Sequence, residues 1–451
     1  MLTVYDIAWR ALLSAAAPLV ALSPKFRRKA ARALRERVGF DVPAAAAGER
    51  RPCVMIHAVS LGEMNATRAL VTQLLAARPD LRFLVTVTTD TGFARGRELY
   101  GNDPAVTLAR YPLDLSPAIE RLLDRQRPAV VVLMELEVWP NFVLHCDRRG
   151  IPVALVNGRL TKPSFRQYRL ARPVLGRSFA RLAAVCAQDE EYAGWFRALG
   201  ARLQAVSVTG TMKFDTAQVA DRIPGDADLA RDLGLLPKAG PLWVCGSTGP
   251  GEEAIALSAY RTLLASHPTL RLAVIPRHPE RFDAVADLIE RSGFPVLRRS
   301  RNRPPLAASQ ATADPTLPPP ASASPVVLGD TMGELRKFYA LADVVLVGRS
   351  LVDLGSRQRG SDMIEPAALA KPVVIGKWTH NFADAVRALK AADGIREIAS
   401  PADLAPAVDA FLRDPSAAAE TGRKARRVVL DQQGATARHV AVVLALLAGH
   451  G

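Results

Sequence analysis

The chain has 451 residues and a formal net charge of +15, with 49% hydrophobic and 23% charged residues. This length is too great for one ordinary domain and predicts two domains of about 200 residues, each able to bury a core. The charge indicates an anionic partner, which could be nucleic acid, an acidic membrane surface or a phosphorylated substrate. The four cysteines form no Cys-x-x-Cys pair, which favours reduced structural thiols over zinc or disulfides.

Residues 1–50 predict a membrane anchor followed by a basic helix. The apolar stretch from Ala11 to Leu22 is shorter than the about 20 residues that a spanning helix needs. Seven cations and one acid follow between Lys25 and Arg37. An apolar segment followed by clustered cations is typical of an interfacial anchor on the cytoplasmic leaflet of a membrane. The alternative is a basic helix packed on the first domain.

Residues 51–215 alternate short apolar runs with helical stretches, which predicts βαβ units and a parallel sheet. The predicted strands are Val54–Ile56, Phe83–Val87, Ala129–Leu133, Val153–Val156, Ala183–Ala187 and Val206–Val208. Polar loops follow these strands. They are expected at the sheet edge where open α/β sheets bind ligands.

The segment from His57 to Glu63 joins the first predicted strand to a helix, so Glu63 falls in the first helical turn. Gly62 permits close backbone approach, and the free N–H groups of the helix start can hold an anion. Glu63 is therefore either a functional carboxylate or an ordinary first-turn residue stabilised by the helix dipole.

Two further carboxylates, Glu135 and Glu137, follow the strand Ala129–Leu133. They share a face if the backbone is extended, whereas a turn would separate them. Together with Glu63 they could form the carboxylate pair of a glycosidase. Transfer from a nucleotide-activated donor needs only one base.

Residues 216–236 are polar and weakly patterned, which predicts an interdomain linker. A second βαβ series occupies 237–434, and an apolar helix occupies 435–451. The predicted strands are Leu242–Cys245, Arg271–Ile275, Val326–Leu328, Val344–Val347, Pro372–Ile375 and Gly394–Ile398. The Pro-, Ala- and Ser-rich segment 303–325 predicts a disordered surface insertion.

Two loops of the second domain favour an anionic ligand. Gly246–Glu253 opens a helix after a strand, as a phosphate-binding turn does, but lacks the Gly-Lys-Ser/Thr ending of a P-loop. Arg277 follows the next strand, and its planar guanidinium suits a phosphate or carboxylate better than a surface ion pair. The seven histidines are scattered, so no metal site is expected.

Seven segments, in order along the chain, resemble the 3-deoxy-D-manno-octulosonic acid (Kdo) transferases, which attach Kdo to a lipid A precursor. They are His57–Glu63, Met134–Asn141, Met212–Asp215, Gly246–Thr248, Pro276–Arg281, Asp330–Leu335 and Glu365–Leu369. The sequence departs from the family's pattern in three places. Arg359–Pro366 replaces Gly-Gly-His-Asn-Pro-Leu-Glu-Pro, Gly249 replaces a His, and Arg349 replaces a Gly.

The resemblance implies a GT-B glycosyltransferase with two Rossmann-like α/β domains whose parallel sheets face a central cleft. The domain at 51–215 would bind the lipid acceptor, and the domain at 237–434 would bind CMP-Kdo. Glu63 would match the general base, and Glu135 and Lys213 would match residues that stabilise the transition state. The implied donor contacts are Ser247, Thr248, Pro276, Arg277, Met332, Gly333, Glu334, Asp362, Met363, Ile364 and Glu365.

The resemblance thus implies transfer of Kdo from CMP-Kdo to a lipid IVA-like precursor in lipopolysaccharide biosynthesis, at the cytoplasmic face of the inner membrane. It implies an anionic membrane surface as a partner, and no cofactor, metal or nucleic acid. One alternative is a related transferase that uses another CMP- or nucleotide-activated sugar. The other is a non-catalytic basic protein that binds membranes.

Overall fold

The computed structural model describes residues 5–6, 37–38, 42–46, 48–236, 239–301, 324–355 and 358–449. The chain divides into two compact units, Met1–Thr216 with Gln432–Gly451, and Ala217–Asp431. Most of the predicted anchor, and the predicted insertion except its last two residues, lie outside the described residues. Within the described part, no helix combines the length and apolar character that crossing a membrane requires.

The first unit contains a seven-stranded sheet in the order β3-β2-β1-β4-β5-β6-β7. Its strands are β1 (Cys53–Ala58), β2 (Arg82–Val87), β3 (Val106–Arg110), β4 (Pro128–Met134), β5 (Val153–Gly158), β6 (Ala184–Ala187) and β7 (Val206–Val208). Its helices are α1 (Leu61–Ala77), α2 (Asp90–Tyr100), α3 (Ser116–Gln126), α4 (Pro140–Arg148), α5 (Lys162–Leu170), α6 (Arg172–Ala180) and α7 (Glu190–Leu199). All strand pairs are parallel.

The central strands of this sheet are buried on both faces, as parallel sheets covered by helices are. All six residues of β1 are buried. Met55 enters one hydrophobic core, and its neighbours Val54 and Ile56 enter the core on the opposite face, because successive side chains of a strand alternate. The loops at the strand ends therefore extend from a rigid frame.

The second unit contains another seven-stranded parallel sheet, in the order β10-β11-β9-β8-β12-β13-β14. Its strands are β8 (Leu242–Thr248), β9 (Arg271–Pro276), β10 (Val296–Arg298), β11 (Val326–Leu328), β12 (Val344–Val347), β13 (Val373–Ile375) and β14 (Arg396–Glu397). Its helices are α8 (Asp226–Asp232), α9 (Glu252–Leu264), α10 (Phe282–Arg291), α11 (Leu335–Leu341), α12 (Ile364–Ala368), α13 (Ala383–Ala391), α14 (Leu404–Arg413) and α15 (Pro415–Gln432). The predicted α/β class is confirmed.

Three features differ from the sequence analysis. The edge strands β3 and β10 were not predicted, because they are short and each ends in arginine. Residues 217–236 belong to the second unit and include α8, so they are part of that unit and not an interdomain linker. The last helix, α16 (Ala435–Ala448), returns to the first unit, where Val440, Val443 and Leu447 join its core. The four cysteines are free and buried.

Candidate active site

Glu63 and Glu135 lie at the point where the strand order of the first sheet reverses. Glu63 follows β1 and Glu135 follows β4, and these strands are neighbours whose following connections run to opposite sides of the sheet. Such switch points form the ligand-binding crevices of open α/β sheets. The structure thus brings together two of the three predicted catalytic residues.

The Glu63 carboxylate closes a capping box at the start of α1. It accepts hydrogen bonds from the Val59 N–H at 2.9 Å, the Ser60 N–H at 3.3 Å and the Ser60 hydroxyl at 2.8 Å. The Ser60 hydroxyl in turn accepts from the Glu63 N–H at 3.3 Å. The helix-start role that the sequence left open as an alternative is therefore present, and it fixes the position of this carboxylate.

The electrostatic surroundings of Glu63 go beyond those of an ordinary capping residue. Burial, followed by the charge of Glu135 and then that of Glu137, raises the pKa of Glu63 to about 7, although its hydrogen bonds oppose the shift. A carboxylate with a pKa close to the working pH is suited to accept a proton during a reaction. Glu63 thus combines a fixed geometry with the acidity of a general base.

Glu135 and Glu137 are separated by a turn, one of the two arrangements that the sequence allowed. Glu135 has a left-handed backbone with φ of 56°, a conformation of non-glycine residues that concentrates at functional sites. Its carboxylate pairs with the Arg159 Nε at 2.9 Å. Glu137 accepts from the Trp139 Nε1 at 2.9 Å, and burial raises its pKa. Arg159 was not predicted as a site residue, because the contact depends on the pairing of β4 with β5.

His57 lies buried near this cluster. Its Nδ1 lies 3.2 Å from the Thr86 carbonyl oxygen, so Nδ1 carries the proton and donates it. Its Nε2 is 4.0 Å from the Glu137 Oε2 and has no hydrogen bond within the described part of the chain. Burial lowers the pKa of His57 to about 3, and the neutral ring stacks on Tyr111 with centroids 3.7 Å apart. His57 is thus a packed core residue next to the carboxylates.

Lys213 lies in the loop after β7, at the same edge of the sheet. The preceding residue, Met212, donates its N–H to the Asn157 Oδ1 at 3.2 Å. Asn157 has a left-handed backbone with φ of 53° and donates its own N–H to the His439 Nε2 of α16 at 3.3 Å. The C-terminal helix therefore fixes the Lys213 loop, a role that local sequence patterns do not reveal.

The predicted donor residues of the second unit also gather at a switch point. Ser247 and Thr248 end β8, and the neighbouring strand β12 leads to Arg349. Arg277 follows β9 and donates its N–H to the Thr248 carbonyl at 3.0 Å. The Ser361 hydroxyl donates to the Ser247 carbonyl at 3.3 Å. These contacts bring together two of the segments that carry the resemblance, Gly246–Thr248 and Pro276–Arg281, and the segment Arg359–Pro366 that departs from it.

Glu252 holds the two central loops of this unit in place. Its buried carboxylate accepts four backbone N–H groups, from Gly249 at 2.8 Å, Arg349 at 2.5 Å, Ser350 at 2.8 Å and Leu351 at 2.8 Å. The sequence placed Glu252 in a phosphate-binding turn. Its contacts show a structural role, because both carboxylate oxygens are used to fix backbone.

Arg277 and Arg349 place positive charge on either side of the turn after β8. The Arg277 side chain is exposed and forms no ion pair with any residue that the structure describes, so the surface-pair alternative is absent there. Burial and the charge of Arg277 lower the pKa of Arg349, whose Nε donates to the Gln358 carbonyl at 3.0 Å. Two guanidinium groups at one glycine-rich turn suit a phosphate or carboxylate ligand.

Glu365 and Asp362 form an acidic pair near Arg277. Burial, followed by the charge of Asp362, raises the pKa of Glu365 to about 7, while Arg336 and Arg277 oppose the shift. Tyr339 is buried behind them, and its hydroxyl has no hydrogen bond with the described residues. A Cβ atom on Gly246 would overlap the Tyr339 ring and hydroxyl, so this position of the turn requires glycine.

Several predicted donor contacts offer less to a ligand. The Met363 and Ile364 side chains are fully buried, as is the last residue of β9, Pro276, so contacts from them would involve backbone. The Glu334 carboxylate is used by Arg299, Thr331 and Lys337, and these contacts, Arg299 first, lower its pKa to about 2. Its neighbours Met332, which is exposed, and Gly333, with φ of 83°, form the accessible part of that loop.

Among the described residues, no group of three or more His, Cys, Asp and Glu side chains could hold a metal ion.

Comparison with known proteins assigns this arrangement to a family. The family model described as 3-deoxy-D-manno-octulosonic-acid transferase (kdotransferase) matches residues 32–216. A 3-deoxy-D-manno-octulosonic acid transferase of Haemophilus influenzae is 34% identical over 92% of this chain and 91% of its own length. Another, from Bordetella pertussis, is 36% identical over 76% of each chain.

A solved structure supports the fold. Anabaena HepE in complex with UDP superposes with a TM-score of 0.55 at 14% identity, and the match covers 87% of this chain and 99% of that one. The GT-B fold implied by the resemblance is confirmed. Full-length identity above 30% together with the two sheets establishes the family, so the chain is a GT-B glycosyltransferase that belongs to the 3-deoxy-D-manno-octulosonic acid transferases.

Proposed function

We propose that the protein transfers Kdo from CMP-Kdo to the glucosamine disaccharide of a lipid A precursor in lipopolysaccharide biosynthesis. The observation that carries the chemistry is the Glu63 carboxylate, which is fixed at the switch point of the first sheet and has a pKa of about 7. The names of the relatives support Kdo as the sugar.

The first unit would bind the acceptor. Glu63 takes the proton of the acceptor hydroxyl while that oxygen forms a bond to the anomeric carbon of the donor sugar. Glu135, held by Arg159, keeps negative charge near Glu63, which makes Glu63 a stronger base. Lys213 would stabilise developing negative charge from the loop that Asn157 and His439 hold. Such prepositioned charges are a large part of enzymatic rate enhancement.

The second unit would bind the CMP part of the donor. The bond from the anomeric carbon to the phosphate oxygen breaks, its electron pair stays on CMP, and the guanidinium of Arg277 holds the departing phosphate. Arg349 lies at the same turn and can bind a second anionic group of the donor. Glu365 would accept hydrogen bonds from ribose hydroxyls, since a carboxylate binds paired hydroxyl donors well. These cations allow the reaction to proceed without a metal ion.

The lipid acceptor implies work at the cytoplasmic face of the inner membrane. The apolar and basic residues between Ala11 and Arg37 would supply an interfacial anchor. The measurement is flotation with anionic liposomes, comparing the full chain with a chain that starts at Val38. Weaker flotation of the shorter chain would support the anchor. Flotation of both chains to the same extent, at low salt and at high salt, would contradict it.

The function itself is tested by donor choice. Labelled CMP-Kdo, CMP-N-acetylneuraminate and UDP-N-acetylglucosamine are each incubated with the protein and a lipid A precursor. The proposal predicts label in the lipid fraction from CMP-Kdo alone. Label from another donor would indicate a related transferase, and absence of label from all three, with liposome binding retained, would indicate the non-catalytic alternative.

A further inference from the structure

The helices α5 and α6 form a hairpin that packs on the first unit through its inner face. Phe165 of α5 stacks on Trp195 of α7 with ring centroids 5.0 Å apart. Tyr168 meets the buried Phe179 of α6 edge-on at 6.1 Å. These aromatic contacts fix the hairpin to the core, so the residues on its outer face keep a defined position.

The outer face of this hairpin combines apolar and cationic side chains. Leu170 is 83% exposed and Val174 is 64% exposed. The exposed cations are Lys162, Arg166, Arg169, Arg172 and Arg177. The stretch from Leu160 to Gln188 contains no Asp or Glu. In the described part of the chain, Lys162 has one distant carboxylate partner, Glu191 at 4.0 Å, and the four arginines form no ion pair.

Two properties set this surface apart from an ordinary solvated helix face. A solvated face usually mixes charges of both signs in i,i+3 or i,i+4 pairs, whereas this one carries a single sign. It also exposes two branched apolar side chains, Leu170 at the end of α5 and Val174 in the first turn of α6. Cations around an exposed apolar centre are the features of a surface that lies in the headgroup region of an anionic bilayer.

We propose that the outer face of the α5–α6 hairpin docks on an anionic lipid bilayer, with Leu170 and Val174 inserted between headgroups and the arginines contacting lipid phosphates. This is a second membrane contact, separate from the N-terminal segment. The charge complementarity favours lipid over a protein partner, because an arginine cluster without acids suits a surface of repeated phosphates.

The position of the hairpin relates docking to the proposed active site. It begins three residues after Arg159, which pairs with Glu135. Tyr168 lies close enough to Glu137 for that charge to add to the effect of burial in raising the Tyr168 pKa. A bilayer held against this face would therefore bring a lipid acceptor to the carboxylates. This functional meaning rests on the proposed function, whereas the docking itself does not.

The test uses the full chain with one new cysteine. The four native cysteines are buried, so a thiol-reactive fluorophore such as NBD can be attached selectively to Leu170→Cys. The matched control is Leu203→Cys, at a leucine of the same unit that is 71% exposed. With vesicles that contain phosphatidylglycerol we expect a blue shift at position 170, reduced at high salt, and none at 203. An equal shift with neutral phosphatidylcholine vesicles would contradict the role of the arginines.

The charge requirement is tested in the Leu170→Cys background. Arg166→Gln, Arg169→Gln and Arg172→Gln together should raise the lipid concentration for half-maximal shift roughly a hundredfold, at about 1 kcal/mol for each cation. The control removes the same charge with Arg68→Gln, Arg97→Gln and Arg148→Gln, which are exposed arginines elsewhere in the unit. Equal weakening by both sets would overturn the proposal, because general net charge would then explain binding.

Two outcomes separate this proposal from the proposed function. If the protein floats with vesicles while the label at 170 stays in water, the hairpin does not dock, whatever the transfer activity. If the label inserts but the protein transfers no sugar to detergent-solubilised acceptor, docking stands and the proposed function fails.

Discussion

Replacing Glu63 by glutamine separates its role in the helix cap from its role as a base. Glutamine keeps the length and shape of the side chain but cannot accept a proton. General-base catalysis contributes about 10²–10⁴-fold, so we expect Glu63→Gln to lower kcat by that factor, or roughly 3–5 kcal/mol of transition-state stabilisation. In the unaltered protein, kcat should rise with pH up to about 7 as Glu63 loses its proton, and then level off.

The same variant has a distinct effect on stability. The pKa of Glu63 is about 7 in the folded protein against an ordinary value of 4.5. Between pH 4.5 and 7 the unfolded chain therefore binds fewer protons than the folded one. The free energy of unfolding consequently falls as pH rises through this range. At 1.36 kcal/mol for each unit of pKa, the loss is at most about 3 kcal/mol. Glutamine does not titrate. The stability of Glu63→Gln relative to the unaltered protein should therefore grow by about that amount from pH 4.5 to 7.

The variant also gives up one capping interaction. One oxygen of Glu63 accepts from Val59, and the other accepts from Ser60, so the glutamine amide group must face one of these donors at a cost of about 1–3 kcal/mol. This cost does not depend on pH. Denaturant unfolding at several pH values, with kcat measured on the same samples, separates the two effects. Parallel pH profiles of stability, or a kcat within a few fold of the unaltered value, would refute the assignment of Glu63 as the base.

Arg277→Ala should weaken CMP binding by roughly 1.5–3 kcal/mol, and unchanged affinity by calorimetry would remove Arg277 from the donor site. Arg349→Gly should keep the fold, because the backbone φ of 59° at this position favours glycine. It should raise the KM for CMP-Kdo about tenfold, and an unchanged KM would show that Arg349 does not touch the donor. His439→Ala leaves the Asn157 N–H without its buried partner, whereas the Thr209 hydroxyl keeps its contact with the Ala187 carbonyl. The substitution should lower the free energy of unfolding by roughly 1–3 kcal/mol. A loss below 0.5 kcal/mol, on the order of a surface change, would contradict the role of α16. Transfer should persist after exhaustive chelation with EDTA, and activity that disappears and returns with Mg²⁺ would contradict the metal-independent proposal.

Local sequence patterns predicted the central strands and the loops that follow them. Apolar runs such as Val130–Met134 are buried on both faces, so the unbroken run of apolar residues identifies them. Edge strands such as Val106–Arg110 lack this signal, because only one residue in that strand is buried. The helix Asp226–Asp232 at the domain boundary was missed for a similar reason, because it is short and lies in a weakly patterned stretch of sequence.

The candidate site was predictable where its residues stand next to a strand end. Glu135 and Arg277 directly follow buried strands, and Glu63 lies in the first turn of the helix that follows one, so their positions could be inferred from local patterns. Arg159, Glu252 and His439 act through partners far along the chain, and only the strand order brings those partners together. The raised pKa of Glu63 also required the structure, since the shift arises from burial and from the charge of Glu135.

The most direct test of the proposed activity is the mass of the lipid product. The full chain is incubated with CMP-Kdo and a lipid A precursor, and the lipid fraction is analysed by mass spectrometry alongside a Glu63→Gln sample of equal CMP affinity. The account predicts a product heavier than the precursor by a whole number of Kdo residues, formed by the unaltered protein and nearly absent with Glu63→Gln. An unmodified precursor in both samples would contradict Kdo transfer, and equal product in both would contradict catalysis by Glu63.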